Sequence, residues 1–314
     1  MGSLISRRGF LRAAGGAATA IPLRSIGDAT TEEFRLDEHS PATATANDRI
    51  VDIHVHFDEN NPNFIRDLVT LAERINLTAC LLTPHSHRVH VAEAAKRYPE
   101  RIVPFGFVDL DAPDVLSQVN DFHTLGYRGL GELEFVKKPY IDTSYFPVYE
   151  LANRYGWVLM FHTGIVLRRS VDHPEDVASH RMRAFYLEEI ARRFPKLTVI
   201  GAHCGNPEYE WAAEVARWNP NVFFDLSGST LTKMSSRLEE FKKFFWWSGQ
   251  GEWKTATPAN DQSAFVKLVF GSDSGLDGIE RVLSQYRALF KSCDVPASTQ
   301  QLIIARTLTD ILQL

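Results

Sequence analysis

The sequence predicts an α/β chain whose folded part is a single-domain (β/α)8, or TIM, barrel. Three observations carry that expectation. Eight short apolar runs follow one another from residue 49 onward, amphipathic stretches separate them, and the 314 residues leave about 250 for one such unit. Nearly continuous apolar runs are the mark of parallel strands covered on both faces. A doubly wound open sheet is the other arrangement, but no G-x-G-x-x-G follows the first run, so no dinucleotide site is expected.

The first run, "RIVDIHVHF" (49–57), is rich in β-branched residues yet carries Asp52, His54 and His56 two apart. In a strand that spacing puts the three on one face. The next runs are "LTACLLTP" (77–84), "IVPFGFVD" (102–109) and "YRGLGEL" (127–133). They are followed by "WVLMFHTG" (157–164), "LTVIGAHCG" (197–205), "VFFDLSG" (222–228) and "KLVFGSDSG" (267–275). Between them, stretches such as "PNFIRDLVTLAERIN" (62–76) and "RMRAFYLEEIARRFP" (181–195) repeat apolar residues every three or four positions, as helices do.

Ahead of the folded part, "SRRGFLRAAGGAATAIPL" sets Arg7 and Arg8 before a weakly apolar Ala/Gly run. This resembles a twin-arginine export signal, expected over residues 1–23, and it implies the export machinery as partner and a periplasmic or secreted destination. Residues 24–48 are polar and aperiodic, a flexible linker. Ala-x-Ala sites ending at Ala20 and Ala46 leave two cleavage points open. The barrel then takes residues 49–314. The net charge of −5 gives no nucleic-acid footprint. No apolar run reaches the ~20 residues that span a bilayer. Three scattered cysteines, Cys80, Cys204 and Cys293, suggest small buried side chains rather than a disulfide or zinc framework.

In such a barrel, working residues sit at the C-terminal ends of the strands. His54 and His56 fall there on the first run, Glu132 on the fourth, His162 on the fifth, His203 on the sixth and Asp273 on the eighth. Each alone has an ordinary structural reading; six at one mouth do not. Imidazole and carboxylate ligands suit zinc, manganese, iron or nickel. An incomplete protein shell is the mark of a catalytic metal rather than a structural one. Asp273 could take a proton from water as general base, and His203 could steady the oxygen on which charge develops. Asp52 is expected to orient a ligand or tie down the strand.

The stretches "DIHVHF", "GLGELEF", "MFHTG", "FPKLTVIGAHCGNP", "NPNVFFDLSGS" and "LVFGSDSG" resemble the amidohydrolase superfamily, in its amidohydrolase 2 branch of metal-dependent hydrolases and decarboxylases. The resemblance covers roughly residues 49–275. It implies His54, His56, His162 and Asp273 as metal ligands. His203 would meet the substrate or a second metal, and Glu132 stands at the fourth-strand position with a role that varies in the family. Two departures stand out: Asp273-Ser274-Gly275 replaces the usual Asp-x-Pro, and "ARTLTDILQL" lacks the usual Asn-Ala near the end.

Four further residues could bind substrate: His85 and His87 after the second run, and Arg168 and Arg169, which could grip a carboxylate, in a stretch that also holds Asp172, Glu175 and Asp176. The aromatic insert "FKKFFWWSGQGEW" (241–253) could form a pocket wall, a lid or a contact between copies of the chain, while ordinary helix packing also accounts for Phe241, Phe244 and Phe245. The expected function is metal-dependent hydrolysis of a lactone, amide or ester of a small molecule. Non-oxidative decarboxylation of an unsaturated or aromatic acid is the alternative, and a non-catalytic metal-binding protein the third reading.

Overall fold

The computed structural model describes residues 49–167, 178–247 and 263–314. These all belong to one compact unit, Ala44–Leu314. The twin-arginine stretch, the linker, Arg168 and Arg169, and the end of the aromatic insert lie outside the described residues.

Seven strands form one parallel sheet in chain order: β1 (Ile50–His56), β2 (Leu77–Pro84), β3 (Ile102–Phe107), β4 (Gly129–Leu133), β5 (Val158–His162), β6 (Thr198–Ala202) and β7 (Val222–Phe224). The helices α1 (Phe64–Ile75), α2 (Arg88–Arg97), α3 (Val115–Thr124), α4 (Phe146–Tyr155), α5 (Tyr186–Arg193) and α6 (Tyr209–Trp218) each connect one strand to the next. Two one-turn helices follow β7, α7 (Thr230–Lys233) and α8 (Phe241–Phe244). The chain ends with α9 (Ile279–Ser292), α10 (Ala297–Gln301), a π-helical turn over Leu302–Arg306, and α11 (Thr307–Leu312). α1 shows the local logic: Phe64, Leu68, Val69, Leu71 and Ala72 form its buried stripe, and Asn76 stops it in the left-handed conformation that asparagine tolerates.

The predicted eighth strand does not form, so the sheet is a curled, open, seven-stranded one rather than a closed eight-stranded barrel. Residues 263–267 are a 3-10 turn, and the following segment makes a single bridge, Leu268 to Phe224. Isolated backbone bonds carry it on: Val269 N to Phe224 O, Ile53 N to Phe270 O and Asp273 N to His54 O. Asp273 itself has φ +44, a conformation no strand residue holds.

Two apolar layers result. One lies between strands and helices. The other is enclosed by the curl of the sheet, where Val51, Ile53, Leu82, Phe105 and Met160 meet Leu308 of α11. The three cysteines are free and buried, as expected. Phe241 and Phe245 are fully buried in the core, and Phe244 packs on Tyr209, so this part of the aromatic insert is helix packing. No helix among the described residues is long and apolar enough to cross a membrane.

The sheet is irregular at two positions that matter. The β1–β2 register shifts between Asp52 and Val55, and the β4–β5 register between Leu130 and Leu133. Such slips re-aim side chains. Val51 and Ile53 pack in the inner layer and Val55 in the outer one, so the alternation reverses across His54. That reversal, rather than a simple period of two, turns His54 and His56 to the inner side. Asp52 is not part of their row. Its Oδ1 accepts from the backbone N of His54 and of Ser272, tying β1 to the segment before Asp273. Burial pushes the Asp52 carboxyl up to about 6.

Candidate metal centre

The strand ends converge. His54 Nε2 lies 3.1 Å from His56 Nε2. Glu132 Oε2 is 3.4 Å from the first and 3.7 Å from the second. Asp273 Oδ1 is 3.6 Å and 3.5 Å from the same two atoms. These four residues form one group of donors within 4.8 Å of one another, and Glu132, His162 and His203 form a second. Glu132 is common to both. Its Oε1 accepts from His162 Nδ1 at 2.7 Å and stands 3.1 Å from His203 Nε2. The Tyr140 hydroxyl, 2.6 Å from the Leu133 carbonyl and 3.0 Å from that of His162, holds the ends of β4 and β5 together.

This donor set fits a divalent cation. Glu132 is fully buried, and its Oε2 has no hydrogen-bond partner. A charged oxygen buried that way is costly without a counter-charge. Burial pushes the Glu132 pKa up, but the His162 and His54 imidazoles outweigh it and hold the carboxyl well below the ordinary carboxylate range. Asp273 behaves alike: against burial, His54, His56 and His203 hold its carboxyl far below its ordinary value. The histidines respond in kind. Burial works to lower His54, His56 and His203, yet the facing carboxylates raise all three, His54 the most. A pocket in which each histidine would otherwise hold a proton is one in which a cation can replace those protons.

His203 sits on strained backbone. His203 and Cys204 both take positive φ, +65 and +49, just beyond β6. Non-glycine residues rarely adopt this, and such strain concentrates at working sites. Gly228 explains part of the tolerance: with φ +64, any Cβ there would come within 2.8 Å of His203 Nδ1 and 3.5 Å of Asp273 Oδ2.

The structure also reveals a residue that the sequence reading missed. Asp225, directly after β7, is fully buried among these groups. Its Oδ2 accepts from His54 Nδ1 at 2.9 Å. Its Oδ1 accepts from the backbone N of His203 (2.8 Å), the backbone N of Ser227 (2.9 Å) and the Ser227 hydroxyl (2.6 Å). Burial would raise its pKa, but the bond from His54 leads the effects that leave it lowered. The available signal was one acid at the C-terminal end of an apolar run, in "VFFDLSG".

The four substrate-binding expectations fare differently. His85 Nε2 is 2.9 Å from Asp121 of α3, and His87 Nδ1 is 3.0 Å from Glu59, with its ring on Phe57. Neither belongs to the donor groups. Arg168 and Arg169 lie outside the described residues.

Comparison with known proteins finds likeness in fold and in family. Among solved structures, an uncharacterised TIM-barrel protein from Bordetella bronchiseptica is 14% identical with a TM-score of 0.58, over 84% of this chain and 98% of that one. A probable 2-pyrone-4,6-dicarboxylic acid hydrolase from Acinetobacter baumannii, solved with citric acid bound, is 13% identical with a TM-score of 0.55, over 85% of this chain and 100% of that one. A 2,6-dihydroxybenzoate decarboxylase from Rhizobium is 12% identical with a TM-score of 0.55, over 84% and 98%. At these identities the likeness is one of fold. No curated protein matches the chain. The family model described as Amidohydrolase matches residues 80–302, a span that holds Glu132, His162, His203, Asp225 and Asp273. With that span matched and these donors gathered at the strand ends, the chain belongs to the amidohydrolase family.

Proposed function

We propose that the protein is a metal-dependent hydrolase opening a lactone, ester or amide bond of a small molecule, with zinc as its metal and manganese, iron or nickel able to take the same donors. The observation that carries this reading is the position of Glu132, which offers one oxygen to His54 and His56 and the other to His162 and His203. When bound there, a divalent metal supplies a Lewis acid that polarises a substrate oxygen and lowers the pKa of water towards about 7.

The chain's own residues do the rest. The His56 side chain is 35% exposed, so the donor group opens to solvent on its side, as an enzyme requires and a saturated carrier site does not. Asp273, held ionised by its histidines, accepts a proton from the attacking water. His203 keeps Nδ1 against Ser227, and in its protonated form, which the facing Glu132 carboxylate favours against burial, its Nε2–H meets developing negative charge. Three carboxylates, of Glu132, Asp225 and Asp273, gather around the pocket. Against one divalent cation they leave no surplus positive charge for a carboxylic acid, which favours a neutral carbonyl substrate over decarboxylation.

The test is a panel of lactones, esters, amides and aromatic acids offered to zinc-loaded protein, with acid release and carbon dioxide both followed. Acid release without carbon dioxide is the expected result. Carbon dioxide evolution would assign the decarboxylase chemistry instead, and no turnover with metal bound would leave a metal-binding protein. Arg7 and Arg8 support export by the twin-arginine route to the periplasm or medium. Replacing both with Lys should keep the protein cytoplasmic, and unchanged export would remove that reading.

A further inference from the structure

We propose that Asp225 is a positioning residue that sets the working nitrogen of two histidines at once, directly for His54 and through Ser227 for His203. The inference rests on the metal-site reading above and adds a residue that the donor groups themselves do not include.

The argument is a count of protons. A carboxylate only accepts, so the 2.9 Å contact between Asp225 Oδ2 and His54 Nδ1 puts a hydrogen on Nδ1. Neutral His54 then presents a bare Nε2 to His56, Glu132 and Asp273. On the other oxygen, the Ser227 hydroxyl donates its single hydrogen to Asp225 Oδ1 over 2.6 Å, the length of a charge-assisted bond. With that hydrogen spent, Ser227 Oγ faces His203 Nδ1 at 2.9 Å as an acceptor. Nδ1 of His203 therefore carries a hydrogen too, and Nε2, 3.1 Å from Glu132 Oε1, is the nitrogen that holds a second hydrogen while the ring is protonated and is freed when that proton leaves or a cation replaces it. The same Oδ1 holds the backbone N of His203, fixing the left-handed turn that aims the ring. Room for the carboxylate comes from Gly271, where a Cβ would approach Asp225 Oδ2 to 2.6 Å. A ligating histidine whose second nitrogen is held this way is oriented and made a better donor.

The experiment reads tautomers and affinity rather than turnover. Histidine ¹⁵N shifts are recorded on metal-free protein held alkaline, where the imidazoles are neutral, and zinc affinity is measured by titration. In the native chain, His54 and His203 should both report hydrogen on Nδ1. Asp225→Asn should mix both tautomers and weaken zinc binding about 10- to 100-fold, the range typical of such partners. Ser227→Ala cuts the second arm and also a longer 3.2 Å approach of Oγ to His54 Nδ1, but it keeps the direct Asp225–His54 bond. It should mix the His203 tautomer and leave the His54 hydrogen on Nδ1, and it decides the question even if Asp225→Asn does not fold. Unaltered His203 signals in Ser227→Ala, or unaltered His54 signals and zinc affinity in folded Asp225→Asn, would overturn the proposal. A native chain that shows the tautomers but binds no zinc would defeat the metal reading and leave the Asp225 assignment standing.

Discussion

His54 Nε2 and His56 Nε2 face each other at 3.1 Å, with oxygens of Glu132 and Asp273 within 3.4 to 3.7 Å of both. Because His54 gives its Nδ1 hydrogen to Asp225, a neutral His54 brings only a lone pair to this meeting. Two lone pairs and two carboxylates at such distances repel unless protons or a cation sit among them. The arrangement is therefore stable in two ways, protonated or metal-loaded, and the predictions below separate them.

The first concerns pH. His54, His56 and His203 have folded-state pKa values raised above the ordinary ~6.5. Their stabilisation of the metal-free fold is full below that value and is lost as pH rises through the raised values. Glu132 and Asp225 are lowered, so their contribution is present above the unfolded carboxylate range of about 4 and is lost as pH falls through the depressed values. Asp52, raised to about 6, sides with the histidines: its contribution is full below the unfolded carboxylate value of about 4 and is lost as pH rises through about 6, so it trims the upper end of the stable range. Metal-free protein should thus melt highest in mildly acidic buffer, between roughly pH 4.3 and 6.5. Zinc replaces the histidine protons, so the rise in melting temperature on adding zinc should grow with pH. A zinc increment that stays flat from acid to alkaline buffer would contradict this.

Glu132 is the only residue common to both donor groups. Glu132→Gln keeps the shape but replaces one oxygen with an amide that cannot accept. Zinc affinity should fall by more than the roughly 10- to 100-fold expected for an outer hydrogen-bonding partner. Calorimetric titration checks this, and native affinity in the variant would remove Glu132 from the donors.

Asp273→Asn separates a base from a ligand. His54, His56 and His162 remain in place, so the variant should keep much of its metal while its rate falls about 2 to 4 orders of magnitude, the scale of a lost general base. Loss of the metal together with the rate would make Asp273 chiefly a ligand. Retention of both would take Asp273 out of the mechanism.

How far the sequence led can be seen residue by residue. "LTACLLTP" is β2 to the residue, because β-branched and apolar side chains on both faces leave a parallel strand little choice. His54, His56, Glu132, His162 and His203 were legible together because they end apolar runs, and parallel strands bring such ends to one edge of the sheet. Asp273 was reached through an eighth strand that does not form, although its carboxylate joins the same group. The eighth run misled: "KLVFGSDSG" looks like a strand, but Gly271 yields to the Asp225 carboxylate and Asp273 turns left-handed, so no ladder can run through. Asp225 was illegible for another reason. Its partner His54 is 171 residues away, and no local period encodes a bond of that reach. The register slip at His54 likewise arises from pairing with β2, not from the β1 sequence.

The central claim, that the gathered histidines and carboxylates hold a divalent metal on which activity depends, is tested most directly by metal content. The measurement is elemental analysis of purified native chain and of the His54→Ala, His56→Ala double variant, both loaded with zinc and freed of excess. The native chain should carry at least one equivalent, and the variant, missing both facing nitrogens, should carry next to none and turn over no substrate. A folded double variant that keeps stoichiometric zinc would contradict the account.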